Sequence, residues 1–123
     1  MSIILWIVQI LLALAFLGAG VMKAAQPYET MAARLPWVED YAPGMVRLIG
    51  LLEILGAVGL VLPAALGIWP ALTPLAASGL AIIMVLATVH HARRRESGQM
   101  VFTLVLLALL LFVAWGRFSL APL

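Results

Sequence analysis

Apolar residues along this chain fall into four unbroken runs rather than alternating or strongly amphipathic patterns. The runs cover residues 3–22, 45–62, 72–91 and 100–116. Each is close to the ~17–25 residues that an α-helix needs to cross a hydrocarbon layer of about 30 Å. A β-barrel would show alternation in segments of about ten residues, whereas these runs are continuous. Hydrocarbon offers no water to backbone N–H and C=O groups, so spanning segments satisfy them internally, as helices do. The expected fold is all-α: a polytopic membrane protein, an antiparallel bundle of four transmembrane helices. Residues 1–123 form a single membrane domain.

The stretches between the runs differ in kind. Residues 63–70, PAALGIWP, carry two prolines and a glycine and are expected to turn tightly, with Pro63 closing the second helix. Residues 92–99, ARRRESGQ, form a short basic loop. The longest connector, residues 23–44, mixes charges with Tyr28, Trp37 and Tyr41, rings that suit a membrane–water interface. Pro27, Pro36 and Pro43 divide it, and its YETMAAR segment is expected to make two helical turns on the membrane surface. The first apolar run is long for a cleaved leader and has no basic residue before it, so it is read as a retained helix.

Composition supports this picture. Hydrophobic residues make up 66% of the 123 residues and charged residues 10%, against about half and a quarter in soluble domains. The partner this implies is the lipid bilayer. The net charge of +2 does not indicate nucleic acid, because the basic residues sit at the ends of apolar runs. Lys23, Arg34, Arg47, Arg93, Arg94 and Arg95 fall on one side of a four-helix bundle, and only Arg117 on the other. The positive-inside rule then puts both termini outside and the basic connectors in the cytoplasm. Cysteine is absent, which excludes disulfides and thiolate metal sites within the chain.

Against this background Glu53 stands out as the one carboxylate in RLIGLLEILGAVGL, with Leu, Ile, Val, Ala and Gly around it. An ionisable group inside a span costs about 2.5–3.5 kcal/mol on insertion scales, so it needs a partner or a use. Lys23 ends the first helix on the same side of the bundle, Arg47 begins the second, and His90 and His91 end the third, with Gln99 opening the fourth. Six residues separate Arg47 from Glu53, placing the acid about 9 Å deeper. Lys23 is its first expected partner, then Arg47 and His91. Gly50, Glu53 and Gly56 share a helix face, and Ala15, Ala19 and Lys23, with Gly20 at the edge, offer a matching stripe. The opposite end of the bundle looks nearly featureless, with Gln9 as its main polar group.

Other chemistries find little support. Axial haem ligation by two histidines needs them on facing helices, but His90 and His91 are adjacent. Metal ligand sets, nucleotide loops and nucleophile motifs are lacking, so no cofactor is expected to be held by the chain's own ligands. A quinone or a lipid is the ligand that an apolar site with one buried acid would suit.

The segments GAGVMKAAQP, RLIGLLEILGAVGLVLP and HHARRRES occur in that order. Together they resemble the DoxX and DoxX-like family of small four-helix membrane proteins, over nearly the whole chain. The resemblance implies a bundle in the bacterial plasma membrane. It also implies kinship with the small subunit of a thiosulfate–quinone oxidoreductase and with other membrane oxidoreductase assemblies. Carried over residue by residue, it points to Gly20, Lys23, Gly50, Glu53, Gly56 and His91, to which position adds Arg47. This chain has no appended soluble domain for sulfur chemistry, so an enzyme acting alone is not expected. The reading is a non-catalytic accessory or ligand-binding subunit with a polar site around Glu53, as a homodimer or beside an oxidoreductase partner. The alternatives are the membrane subunit of a quinone-linked oxidoreductase and a small proton-coupled transporter using Glu53.

Overall fold

A computed structural model of the chain describes residues 2–69 and 71–120. Among them are five α-helices: α1 (Ser2–Ala25), α2 (Tyr28–Arg34), α3 (Pro43–Leu66), α4 (Leu72–Arg93) and α5 (Ser97–Trp115). A 3₁₀ turn, Pro36–Asp40, follows α2, and a π-helical turn, Gly116–Leu120, follows α5. No strand occurs among the described residues. Helices α1, α3, α4 and α5 are each long and apolar enough to cross a membrane. Side chains such as Ile7, Leu14, Leu55, Ile82 and Leu111 stay more than half exposed on the outside of the bundle. That is the surface a hydrocarbon solvent would cover, and the chain is a multi-pass membrane protein.

The helices overrun the apolar runs at their polar ends, because backbone pairing rather than hydropathy decides where a helix stops. Helix α1 continues through Lys23, and α4 through Arg93. Helix α3 begins with Pro43, where a missing N–H costs nothing, and stops at Gly67, whose φ of 69° is the left-handed cap that glycine provides. Pro63 does not close α3 but lies inside it. Pro70, the second proline of that turn, and both chain termini lie outside the described residues.

Pro63 has no N–H to give the carbonyl four residues before it, that of Gly59. The Thr73 hydroxyl, fully buried on α4, supplies the missing donor: its Oγ1 lies 3.2 Å from Gly59 O. On the neighbouring carbonyl, Gln9 Nε2 of α1 donates to Leu60 O at 2.7 Å. The proline is tolerated because two other helices satisfy the backbone around it, as a spanning helix requires.

Helix α1 packs along α3 and α4 along α5, and the two pairs join through α3 and α4. Small residues mark each close approach. A Cβ added at Gly50 would stand 2.7 Å from Gly20 O, and one added at Gly20 would stand 2.7 Å from Gly50 O. Gly56 takes the Leu80 side chain, Gly59 takes Ala76, and Gly116 takes Leu5. Leu12, Phe16, Leu60, Leu80, Leu110 and Val113 fill the centre. At the other end of this core, α2 and the 3₁₀ turn fold over the bundle as a cap. Met31 and Val38 are buried there against Val46 of α3. The Tyr28 hydroxyl reaches the carbonyls of Tyr41 at 2.7 Å and Val38 at 3.1 Å. YETMAAR thus forms the expected two turns, with Met31 packed against the bundle.

Replacing Thr73 by Val should leave the Gly59 carbonyl buried and unpaired, lowering stability by about 1–3 kcal/mol. In a Pro63→Ala background, where the backbone N–H is restored, the same replacement should cost markedly less. Thermal unfolding in detergent of the wild type, both single variants and the double variant checks this; equal losses in both backgrounds would refute it.

Candidate ligand-binding site

Lys23 and Glu53 meet because α1 and α3 run antiparallel. In any helix the Cα–Cβ bonds lean towards the N-terminus. Lys23 therefore leans inwards along α1 while Glu53 leans towards the cap along α3, and each is aimed at the other. Lys23 Nζ donates to Glu53 Oε1 at 2.5 Å, with only 2% of the Glu53 side chain and 12% of the Lys23 side chain exposed. Glu53 Oε2 takes no hydrogen bond among the described residues. Arg47 behaves differently from expectation: its guanidinium donates to the Lys23 carbonyl at 2.7 Å rather than to Glu53. It thereby closes the C-terminal turn of α1 against α3 and holds the Lys23 backbone, a role consistent with a cation at a helix C-terminus.

His91 also has a partner of its own. Its Nδ1 lies 2.9 Å from Glu96 Oε1, so the ring is tied to the start of the following turn and not to Glu53. A carboxylate only accepts, so Nδ1 carries the proton in this contact. His90 Nε2 lies 3.0 Å from Asp40 Oδ2 without the alignment of a hydrogen bond, an ion pair only when the ring is protonated. Arg94 Nη1 donates to the same Asp40 oxygen at 2.6 Å. The Asp40 hydrogen bond holds the pKa of the partly exposed Arg94 guanidinium above its ordinary value. Asp40 therefore clasps the cap to the end of α4.

Between the ion pair and the cap lies a cavity of about 560 Å³, within the range of about 300–1,000 Å³ usual for small-molecule sites. Most of its wall is aliphatic, including Leu48, Leu52, Ile83, Leu86 and Leu106. Lys23, Glu53, His90, His91, Gln99 and Thr103 supply the polar groups, and Trp37 and Tyr41 reach in from the cap. Lys23 Nζ stands 5.4 Å from the centre of the Trp37 ring, a cation–π contact. Trp37 also meets His91 edge to face. The shallow groove between α1 and α3 beside Ile10 and Leu62 is lined by apolar side chains alone.

Of the residues read from the sequence, Lys23, Glu53 and His91 line the cavity together. Arg47 supports it through a backbone contact. Gly20, Gly50 and Gly56 do not line it: the first two are the crossing point of α1 and α3, and Gly56 receives Leu80. They are packing positions, since a helix interface without side-chain bulk lets the backbones touch. Trp37 and Tyr41 were not expected at the site. Their rings were legible as interfacial, but only the fold of the cap turns them inwards. Thr103 was likewise missed; it accepts from Thr88 at 2.8 Å across α4 and α5, a pairing for which isolated threonines give no signal.

The far end is not featureless. Arg117 Nε donates to Gln9 Oε1 at 2.6 Å, and Gln9 passes its amide on to Leu60 O. Gln9, Thr73 and Arg117 are all buried, and Arg117 also stands over the Trp6 ring. This second polar centre is closed around backbone and side-chain groups of the bundle itself.

A four-helix, multi-pass bundle with one capped polar cavity defines the class. Residues 7–113 match the DoxX-like family, and the chain belongs to it. No match was found among curated proteins or among solved structures.

Gly50→Val should force α1 from α3 and lower thermal stability by about 1–3 kcal/mol. Gly18→Ala, which meets nothing within 4 Å, should be neutral or slightly stabilising; equal effects of the two would contradict the proposed crossing. Lys23→Met, which leaves Glu53 unpaired, should cost on the order of 3 kcal/mol, and Lys23→Met/Glu53→Leu should regain most of it. Chemical or thermal unfolding of the three proteins in one detergent tests that cycle.

Proposed function

We propose that this protein is an accessory, ligand-binding membrane subunit whose cavity holds a hydrophobic molecule with a neutral, hydrogen-bonding head, of the quinone kind. The observation that carries this reading is the buried Lys23–Glu53 pair set in the wall of an otherwise largely apolar cavity. The pair is neutral overall. A phosphate would repel Glu53 and a quaternary ammonium would repel Lys23, each in a setting that screens charge poorly. A carbonyl accepts from Nζ, and the hydroxyl of the reduced form can in addition donate to Oε2. The Trp37 and Tyr41 rings offer flat faces for a ring-shaped head, and the aliphatic walls suit a tail. Redox chemistry on such a ligand would be the ligand's own, with the protein supplying position and electrostatics.

The test is a titration of the protein in phosphatidylcholine nanodiscs with a benzoquinone bearing a ten-carbon tail. Trp6, Trp69 and Trp115 are replaced by Phe so that quenching reports on Trp37. Saturable quenching is expected, with Lys23→Met/Glu53→Leu, which removes the Nζ donor, weakening it about tenfold, equivalent to ~1.4 kcal/mol. Quenching that rises linearly with quinone in the bilayer and is equal in both proteins would overturn the reading.

A further inference from the structure

The cavity is closed and open in different directions. At the cap end it is roofed by Leu35, Trp37 and Tyr41. Asp40 holds that roof to Arg94 and stands beside His90, while Trp37 packs against Lys23 and His91. At its inner end α3 and α4 are in contact, Gly56 on Leu80 and Gly59 on Ala76. Between roof and floor both helices line the cavity, α3 through Leu48 and Leu52 and α4 through Ile83 and Leu86.

Three of the exposed members of the lining lie on this flank. Leu48 is 48% exposed, Leu52 44% and Leu86 65%. A side chain that touches both the cavity and the surroundings marks its mouth. All three belong to spanning helices, so the mouth faces hydrocarbon rather than water. Below His90 the α4 side of this flank is aliphatic, with Ile83 and Ala87 beside Leu86. The opposite flank, between α1 and α5, also has an exposed lining residue in Phe102, but it carries Gln99 and Thr103. An alkyl tail crossing there would lie against polar side chains; crossing between α3 and α4 below His90 it meets Leu48, Leu52, Ile83 and Leu86.

We propose that the α3–α4 seam, bounded by Leu48, Leu52, Ile83 and Leu86, is a lateral portal to the bilayer. A membrane-dissolved amphiphile enters through it head first, and its tail remains threaded there once the head reaches Lys23 and Glu53. Leu52 precedes Glu53 directly, so the head site and the mouth are neighbours on one turn of α3. This inference rests on the ligand reading above and adds the route, which confines the ligand to molecules already partitioned into lipid.

The absence of cysteine from the chain allows one site at a time to be blocked. Leu52→Cys, Leu86→Cys, Phe102→Cys and Ile82→Cys are reconstituted in phosphatidylcholine nanodiscs and then labelled with N-benzylmaleimide, so that folding precedes the block. Ile82, 64% exposed and absent from the lining, serves as the lipid-facing control. Stopped-flow quenching of Trp37 by the decyl benzoquinone is compared between each labelled protein and its own unlabelled form. Labels at Leu52 and Leu86 should slow association at least tenfold, and the label at Ile82 should leave it unchanged. Unchanged rates with labels at Leu52 and Leu86, or slowing by the Phe102 label alone, would overturn the portal while leaving the ligand site standing. No saturable quenching in any unlabelled protein would instead overturn the ligand reading and the portal with it.

Discussion

Two glycines in mutual contact, Gly20 on α1 and Gly50 on α3, set the separation on which the polar site depends. In lipid, packing of small residues replaces the hydrophobic effect as the reason helices associate. With no Cβ on either side, the two backbones come close enough for Arg47 to reach the Lys23 carbonyl and for Lys23 to reach Glu53. Each contact draws on the same crossing. A pair of long charged side chains on helices held further apart would lose geometry first and then the compensation that keeps a buried carboxylate tolerable.

The bundle carries two buried polar centres, and they differ in how completely they are used. Around Pro63 the donors and acceptors of Gln9, Thr73 and Arg117 are turned on the backbone and on one another. That centre holds structure together where a proline has opened a helix. At the cap end, Lys23 and Glu53 satisfy each other through one oxygen and leave the rest facing a cavity. Closure in one place and incompleteness in the other divide the molecule into a framework half and a half suited to binding.

Much of this was legible in the sequence because hydrophobic runs are a one-dimensional property. Four continuous apolar segments specify four spanning helices whatever their packing, and a lone acid in such a segment announces that something must pair with it. The partner was legible too, since Lys23 and Glu53 each end up at the same side of the membrane. What was not legible depends on orientation around and beyond the helix. Arg47 lies about one and two-thirds turns from Glu53 yet turns to a carbonyl. Gly56 shares the acid's face yet is filled by Leu80. Pro63 reads as a stop until Thr73 is seen to donate to the carbonyl it frees. Trp37 and Tyr41 become cavity residues only because the connector doubles back over the bundle, a long-range event that no local pattern encodes.

The contact between Gln9 and Arg117 joins positions 108 residues apart in the chain. During synthesis α1 enters the membrane first, with the Gln9 amide in hydrocarbon and neither Leu60 nor Arg117 yet made. Its partners arrive with α3 and then, last of all, with the end of α5. The first helix is thus held provisionally until the final one is inserted, and the order of translation becomes part of how this bundle is sealed. A chain released before residue 117 leaves the Gln9 side-chain carbonyl without its Arg117 donor inside the bilayer.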